Sequence, residues 1–283
     1  MCAEATSYFS DNDRDVLDLR HLIWDMNPSH TKGTAGTFLK AIDINSSPVR
    51  YYKLSAGDTI SGIYGHEAAN EVIVSRLLDF LGIPHLEYKG ATSRIVLVDR
   101  ERVEYVCYSD NFRKANDSKM ALDTYYELYG KHFGSVEAML REMGYSEYLD
   151  QMILVDFLIV NRDRHGANLE VLYSESDGIR LSPLFDHGFS LLAPLQNHVE
   201  MVEIFDAMRD VEANNFIGSR SLFANLDLIK KPVKVIKLKE KDLLGLFSSL
   251  GGVLSDAHMR KIVEILVKRY NYVKDKKILC EVE

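Results

Sequence analysis

Two polar motifs in the middle of the chain carry the residue types that phosphoryl transfer needs. The first is NRDRHGAN at residues 161–168, and the second is FDHG at residues 185–188. An attacking hydroxyl needs a carboxylate that orients it and accepts its proton, and Asp163 is the candidate for this base. Asn168 and Asp186 offer the amide and carboxylate oxygens that Mg²⁺ prefers. The two motifs therefore predict an ATP- and Mg²⁺-dependent kinase site.

Apolar segments on both sides of the first motif predict that it is held by buried elements. Residues 152–160 are apolar except for one Asp, and residues 169–172 are apolar except for one Glu. A polar loop between two buried elements is where a rigid scaffold presents catalytic groups. Charged surface loops have a similar composition, so the first motif alone leaves that alternative open.

The first third of the chain contains the elements that would hold the phosphates of ATP. A small, glycine-containing stretch at residues 29–37 can bring backbone N–H groups close to an anion. A predicted turn at residues 45–48 and a predicted strand at residues 49–54 follow, and the strand places Lys53 as a candidate phosphate ligand. The candidates within the glycine-containing stretch are Gly33, Thr34, Gly36 and Thr37.

A predicted helix carries a carboxylate that can hold this lysine in place. Residues 65–81 have helical periodicity, and Gly82 with Pro84 gives a stop signal. Glu71 lies mid-helix and is the preferred partner of Lys53, with Glu67 as the alternative, because an unpaired carboxylate is costly to bury. From the sequence alone it stays open whether both glutamates simply face water.

These motifs, in this order, resemble the HipA-like family of bacterial Ser/Thr protein kinases in its compact form. The resemblance implies that Lys53 contacts the ATP phosphates, that Asp163 is the catalytic base, and that Asn168 and Asp186 hold Mg²⁺. It also implies self-phosphorylation, a protein substrate with a Ser or Thr hydroxyl, and an antitoxin or other regulatory partner. The motifs depart from those of other protein kinases in two places, with Asn161 where His is usual and His187 where Phe is usual.

The catalytic motif is also similar to that of phosphatidylinositol kinases. That resemblance gives His165 a possible catalytic role, whereas otherwise it would pack or form hydrogen bonds. The net charge of −8 does not favour an anionic membrane surface, and no amphipathic or lipidation segment is visible. The sequence therefore favours a protein substrate over a lipid.

Self-phosphorylation, if it occurs in or near the phosphate-binding stretch, would add negative charge where ATP phosphates must approach, and would switch the kinase off. A site beyond Asp186, such as Ser190 or Ser219, would favour an activation-loop mechanism instead. The hydroxyls that the phosphate-binding stretch offers are Ser29, Thr31, Thr34 and Thr37.

The predicted fold is α+β and bilobal, with a small β-rich N-lobe at residues 1–110 and a larger helical C-lobe at residues 111–283. Alternating apolar residues predict a hairpin of strands at 94–99 and 103–108. The downstream segments have helical patterns, and strands followed by helices are typical of an α+β domain. The predicted downstream helices span residues 121–129, 136–143, 148–160, 199–208 and 256–272.

Composition indicates a protein of the reducing cytoplasm that acts neither in a membrane nor on nucleic acid. Three widely spaced cysteines do not form a disulfide framework, and no apolar run approaches the roughly 20 residues of a membrane span. The basic stretch at residues 230–239 could contact nucleic acid, but a solvated loop or strand edge is the preferred interpretation.

Two other classes of protein stay open from the sequence. One is an ATP-binding pseudokinase or interaction module. The other is an enzyme with a transition metal held by Asp163, His165, Asp186 and His187, which would leave Lys53 unexplained.

Overall fold

The structure is a computed structural model, and it describes residues 16–24, 38–58, 62–195, 198–250 and 252–282. The phosphate-binding candidates Gly33, Thr34, Gly36 and Thr37, together with Ser29 and Thr31, lie outside the described residues. The strands are β1 (Leu17–Asp18), β2 (Lys40–Asp43), β3 (Arg50–Leu54), β4 (Gly57–Asp58), β5 (Gly62–Ile63), β6 (Lys89–Leu97), β7 (Arg100–Asp110), β8 (Ser118–Ala121), β9 (Asp163–Arg164), β10 (Glu170–Ser174), β11 (Gly178–Leu181), β12 (Asn214–Asn215), β13 (Val233–Ile236) and β14 (Leu279–Val282). The α-helices are α1 (Glu67–Leu81), α2 (Leu122–Tyr125), α3 (Val136–Glu142), α4 (Ser146–Leu158), α5 (Val199–Ile204), α6 (Leu222–Asn225), α7 (Glu240–Gly245) and α8 (Asp256–Asp275).

The N-terminal part of the chain is a five-stranded sheet in the order β1-β6-β7-β3-β2. The strand pairs are antiparallel except for β1 with β6. Tyr52, Leu54 and Val106 lie on one face in a core that also includes Trp24. Because side chains alternate across a strand, Lys53 and its partner Cys107 lie on the opposite face, the face that α1 covers.

Helix α1 is buried on nearly every side. It begins at Glu67 and ends where Gly82 adopts a left-handed conformation with φ of 69°, which a glycine adopts without steric cost. The apolar residues of α1 belong to the same core as α4 and α8. Since most of its residues are buried, polar ones included, α1 lies within the core rather than on a surface. This position fixes the orientation of Glu71 toward the sheet.

The C-terminal part combines helices with short sheets that the sequence reading missed. Helix α4 is buried at its centre. The three-stranded sheet β11-β10-β8 combines β8, which precedes α4 in the chain, with β10 and β11, which follow it, and the parallel pair β9-β12 also follows α4. The basic stretch at residues 230–239 contains β13, which pairs in parallel with β14. The helix expected at residues 199–208 ends at Ile204 because Phe205 is extended, with ψ of 123°.

A sheet-rich part followed by a helix-rich part is the α+β layout that the sequence predicts. The division of the chain after residue 110 stays a prediction, although β7 does end at Asp110. The core that contains α1 continues into the C-terminal helices, so α1 is shared between the two parts.

Candidate functional site

The ammonium group of Lys53 lies at the centre of the candidate site. Its Nζ is 2.8 Å from Oε1 of Glu71 and 2.7 Å from Oδ1 of Asp186, and it donates to the Tyr88 hydroxyl at 3.1 Å. A lysine ammonium has three N–H donors, so these three acceptors use all of them. Lys53 of β3, Glu71 of α1 and Asp186 of the second motif therefore meet at one atom, although they are far apart in sequence. We call these three residues the triad, and residues 185–188 the metal loop after their predicted role.

Glu71 and Glu67 have different partners. The second carboxylate oxygen of Glu71 accepts the backbone N–H of His187 at 2.9 Å, so Glu71 links Lys53 to the second motif. Glu67 instead accepts the backbone N–H of Ala56 at 3.0 Å and packs against Gly188. The geometry thus pairs Lys53 with Glu71, and leaves Glu67 to fasten the start of α1 to the turn after β3.

The electrostatics of the triad keep Lys53 and Asp186 charged. Burial by itself lowers the pKa of Lys53, but the carboxylates of Asp186 and Glu71 outweigh it and hold that pKa well above its ordinary value. Burial raises the pKa of Asp186, but the nearby ammonium groups of Lys53 and Lys40 hold it below its usual range. Burial raises the pKa of Glu71, and Lys53 only partly offsets that effect. An ionised Asp186 is the state that a hard cation requires.

The second motif bends sharply at Asp186. This residue has φ of 60°, in the left-handed region that non-glycine residues seldom adopt. The Asn70 side chain holds the chain after the bend, because its Nδ2 donates to the carbonyls of Gly188 and Ser190 at 3.0 and 3.1 Å. A strained conformation persists when its surroundings fix it, and here α1 supplies the fixing contacts through Asn70 and Glu71.

The first motif is held by a buried network that begins in α4. The Nδ2 of Asn161 donates a hydrogen bond to Asp156 of α4 at 2.8 Å. The backbone N–H of Asp163 in turn donates to Oδ1 of Asn161 at 3.1 Å. Asn161 is fully buried, whereas the Asp163 side chain is 32% exposed. The loop therefore presents Asp163 to solvent from a rigid base.

The buried guanidinium of Arg164 fastens the two motifs to each other. Its Nη2 lies 2.8 Å from Oδ1 of Asp156, and its Nη1 donates to the carbonyl of Phe185 at 2.9 Å. The backbone N–H of Arg162 also donates to the carbonyl of Phe189 at 3.2 Å. The first motif is thus bonded directly to the metal loop on both sides of Asp186.

Asn168 closes the first motif and has an oxygen to offer a cation. Its Nδ2 donates to the carbonyl of Asp163 at 2.8 Å, which fixes the direction of the amide group. With the nitrogen used in this way, the amide oxygen is the free end of the side chain. An amide oxygen, like the ionised carboxylate of Asp186, is a hard oxygen donor of the kind that Mg²⁺ prefers.

His165 is fixed by the backbone that follows it. Its Nδ1 accepts the N–H of Ala167 at 3.2 Å, and its Nε2 lies 3.6 Å from Oδ2 of Asp163. Because Nδ1 acts as an acceptor, the neutral imidazole carries its proton on Nε2, the nitrogen that faces Asp163.

Lys40 belongs to the site, and the sequence reading did not single it out for this. It lies directly opposite Lys53 in the β2-β3 register, so both side chains are on the same face of the sheet. Burial lowers the pKa of Lys40, and the carboxylate of Asp186 opposes this effect. Within the described residues Lys40 has no hydrogen bond or ion pair at contact distance. The signal available in the sequence was its place four residues after Gly36, where a strand begins.

The part of the chain that the structure describes has no set of side chains suited to a transition metal. Among the described residues, no cluster of three or more His, Cys, Asp or Glu side chains could hold a metal ion. His187 is 1% exposed, and burial holds its pKa well below the ordinary value. None of the helices in the described ranges has the length and apolar character that crossing a bilayer requires.

A solved structure of a kinase has a similar architecture. The chain matches the crystal structure of CtkA, a proinflammatory kinase of Helicobacter pylori, with a TM-score of 0.59 and 14% identity, over 93% of this chain and 96% of that one. It also matches HipA of Shewanella oneidensis, in a complex with HipB and operator DNA, with a TM-score of 0.42 and 16% identity over 92% of this chain and 62% of that one. No protein-family model matches the chain, and no curated protein matches it by sequence. The CtkA match confirms the kinase-like α+β fold that the motifs predict.

Proposed function

We propose that the protein transfers the γ-phosphoryl group of ATP to a Ser or Thr hydroxyl of a protein, with Mg²⁺ as cofactor. The observation that supports this most directly is the position of Lys53 between Glu71 and Asp186. A structural ion pair needs one carboxylate for one ammonium, and placing a second carboxylate there is costly unless it has another partner. In the proposed reaction that partner is Mg²⁺, which Asp186 would hold together with Asn168.

Each residue of the site has a chemical task in this proposal. When bound, Mg–ATP supplies the phosphoryl group, and the metal ion offsets charge on the phosphate oxygens. Lys53 stays anchored by Glu71 and Tyr88 while a phosphate oxygen takes the place of Asp186 in its hydrogen bonds. Asp163, at the exposed end of a rigid loop, orients the attacking hydroxyl and accepts its proton.

The hydrogen bonds of His165 favour Asp163 as the base. The Nδ1 of His165 already accepts a backbone N–H, and its Nε2 carries a proton in the neutral form, so neither nitrogen is free to accept another. The imidazole can donate toward Asp163 instead. This assignment supports a protein-kinase type of mechanism over the phosphatidylinositol-kinase type that gives His165 the catalytic role.

The test is a comparison of two variants in an assay of ADP release and of phosphate incorporation into a generic protein substrate. Asp163→Asn keeps the shape of the side chain and should lower turnover by about 10²- to 10⁴-fold while ATP binding stays nearly intact. His165→Ala should lower turnover far less. A loss with His165→Ala as deep as that with Asp163→Asn would move the base to His165. A wild-type protein that binds Mg–ATP without turnover would instead be a pseudokinase.

Self-phosphorylation and a regulatory partner are part of the same proposal. The hydroxyls of the phosphate-binding stretch lie close in sequence to Lys40, which faces the triad. A phosphate there would compete with ATP for the same cations, so modification would lower activity. An antitoxin-like partner is proposed on the family resemblance alone, and the cytoplasm is the proposed location.

A further inference from the structure

A short strand brings a distant part of the chain back to the proposed catalytic base. After the metal loop the chain leaves the site, and it returns as β12. Strand β12 pairs in parallel with β9, with Asn214 opposite Asp163. The backbone N–H of Asn214 donates to the carbonyl of Arg162 at 2.7 Å, and that of Phe216 donates to the carbonyl of Arg164 at 2.9 Å. The returning strand is therefore bonded to the catalytic loop on both sides of Asp163.

The side chain of Asn214 contacts the base itself. Its Nδ2 donates to Oδ1 of Asp163 at 3.1 Å. The amide cannot be reversed here, because its oxygen would then face a carboxylate oxygen. This bond occupies Oδ1 and fixes the plane of the carboxylate. The other oxygen, Oδ2, lies 3.6 Å from Nε2 of His165, which is beyond hydrogen-bond distance, and it is the oxygen for an incoming proton. A hydrogen bond to a carboxylate is stronger than one between neutral groups.

We propose that Asn214 is a positioning residue, which orients the Asp163 carboxylate toward the hydroxyl of the substrate. This inference rests on the proposed function, because it assumes that Asp163 is the base. Asn214 does not serve the fold through its side chain, since it is exposed and the backbone bonds of β12 do not depend on it.

The first measurement is steady-state kinetics of Asn214→Ala. Misplacing a catalytic group by about 1 Å can cost about 10²-fold, so we expect kcat to fall by about 10- to 100-fold. The KM for ATP should stay within about twofold, because Asn214 does not contact the triad. Glu212→Gln is the matched control. Glu212 is exposed, precedes β12 by two residues and pairs with Arg220, so this variant should keep the wild-type kcat.

A second pair of variants separates positioning from a structural effect. In an Asp163→Asn background, adding Asn214→Ala should cause almost no further loss, because the group that Asn214 orients is already gone. A structural role would lower the residual turnover again. Asn214→Asp should be more damaging than Asn214→Ala, because it places a second carboxylate beside the first. We expect Asn214→Ala to have the same melting temperature as the wild type.

The possible results distinguish this inference from the proposed function. If the wild type transfers phosphate and Asp163→Asn does not, the function stands. If Asn214→Ala then keeps the wild-type kcat, the positioning role is wrong. It is also wrong if Asn214→Ala lowers kcat by the same factor in the Asp163→Asn background as in the wild type. If the wild type transfers no phosphate to any substrate or to itself, the proposed function fails and the inference fails with it.

Discussion

A histidine pair that anchors the first turn of α1 makes the stability of the protein depend on pH. His66, just before α1, packs edge-to-face on His258 of α8, with ring centroids 4.8 Å apart. Burial lowers the pKa of His66 from 6.5 to about 4, and the neighbouring His258 adds to the effect. The pKa of His258 is also lowered by burial, and its Nδ1 lies 2.8 Å from the Ser255 hydroxyl. Both rings are thus held neutral in the folded protein.

The sign and size of the effect follow from proton linkage. Because folding lowers the pKa of His66, the unfolded chain binds more protons than the folded one between about pH 6.5 and pH 4. The contribution to stability is therefore complete above pH 6.5 and is lost as the pH falls through this window. With these two pKa values, lowering the pH from 8 to 5 should remove about 2 kcal/mol of unfolding free energy through His66.

The measurement is urea unfolding at pH 8 and pH 5, followed by circular dichroism. His66→Phe keeps a ring against His258 but cannot be protonated, so this variant should lose about 2 kcal/mol less than the wild type between the two pH values. His198→Gln replaces an exposed histidine at the start of α5 and is the matched control, which should behave as the wild type. An equal pH dependence for wild type and His66→Phe would refute the assignment of this effect to the buried pair.

Three further predictions concern the site. Asp186→Asn removes a charged oxygen ligand, so the Mg²⁺-dependent part of ATP binding, measured by calorimetry with and without Mg²⁺, should weaken at least about 10-fold, and unchanged binding would contradict the nucleotide site. Lys40→Met removes a half-buried cation that makes no ion pair at contact distance within the described residues, so ATP binding should weaken while the melting temperature changes little; the exposed Lys234→Met is the control, and unchanged ATP affinity would exclude Lys40 from the phosphate site. Mass spectrometry after incubation with Mg–ATP should find phosphate within residues 29–37; phosphate only at Ser219 would favour an activation-loop mechanism, and Ser190 is fully buried and so is a poor acceptor.

Candidates for the chemistry could be named from the sequence because the proposed reaction restricts their types. A base, two metal ligands and a phosphate-binding lysine need particular functional groups, and the motifs show them in order along the chain. The pairing of Lys53 with Glu71 was preferred from the helix position, and the structure has that geometry.

The supporting residues could not be predicted in the same way, because their contacts join distant segments. Nothing local to Asn214 indicates that it lies opposite Asp163, since this depends on where the chain returns after the metal loop. The strands β8, β10 and β11 are short, and β8 is paired with β10 across about fifty residues of chain, whereas β10 and β11 form a local hairpin. Asp156 is a different case. It is a lone charge in an apolar helical run, and burying an unpaired charge is costly, so the sequence did contain a signal for a buried partner such as Arg164.

The sequence departs from the usual kinase motif at position 187, where it has His in place of Phe. This departure is compatible with the site, because residue 187 contacts Glu71 through its backbone. The N–H of His187 donates to Glu71, and any residue other than proline would supply that donor. The ring is fully enclosed and its pKa is held well below the ordinary value by burial, with Arg164 as an additional positive neighbour. A neutral, buried imidazole packs as an aromatic ring would. His187 therefore preserves the position of the metal loop without adding a charge beside Lys53 and Asp186.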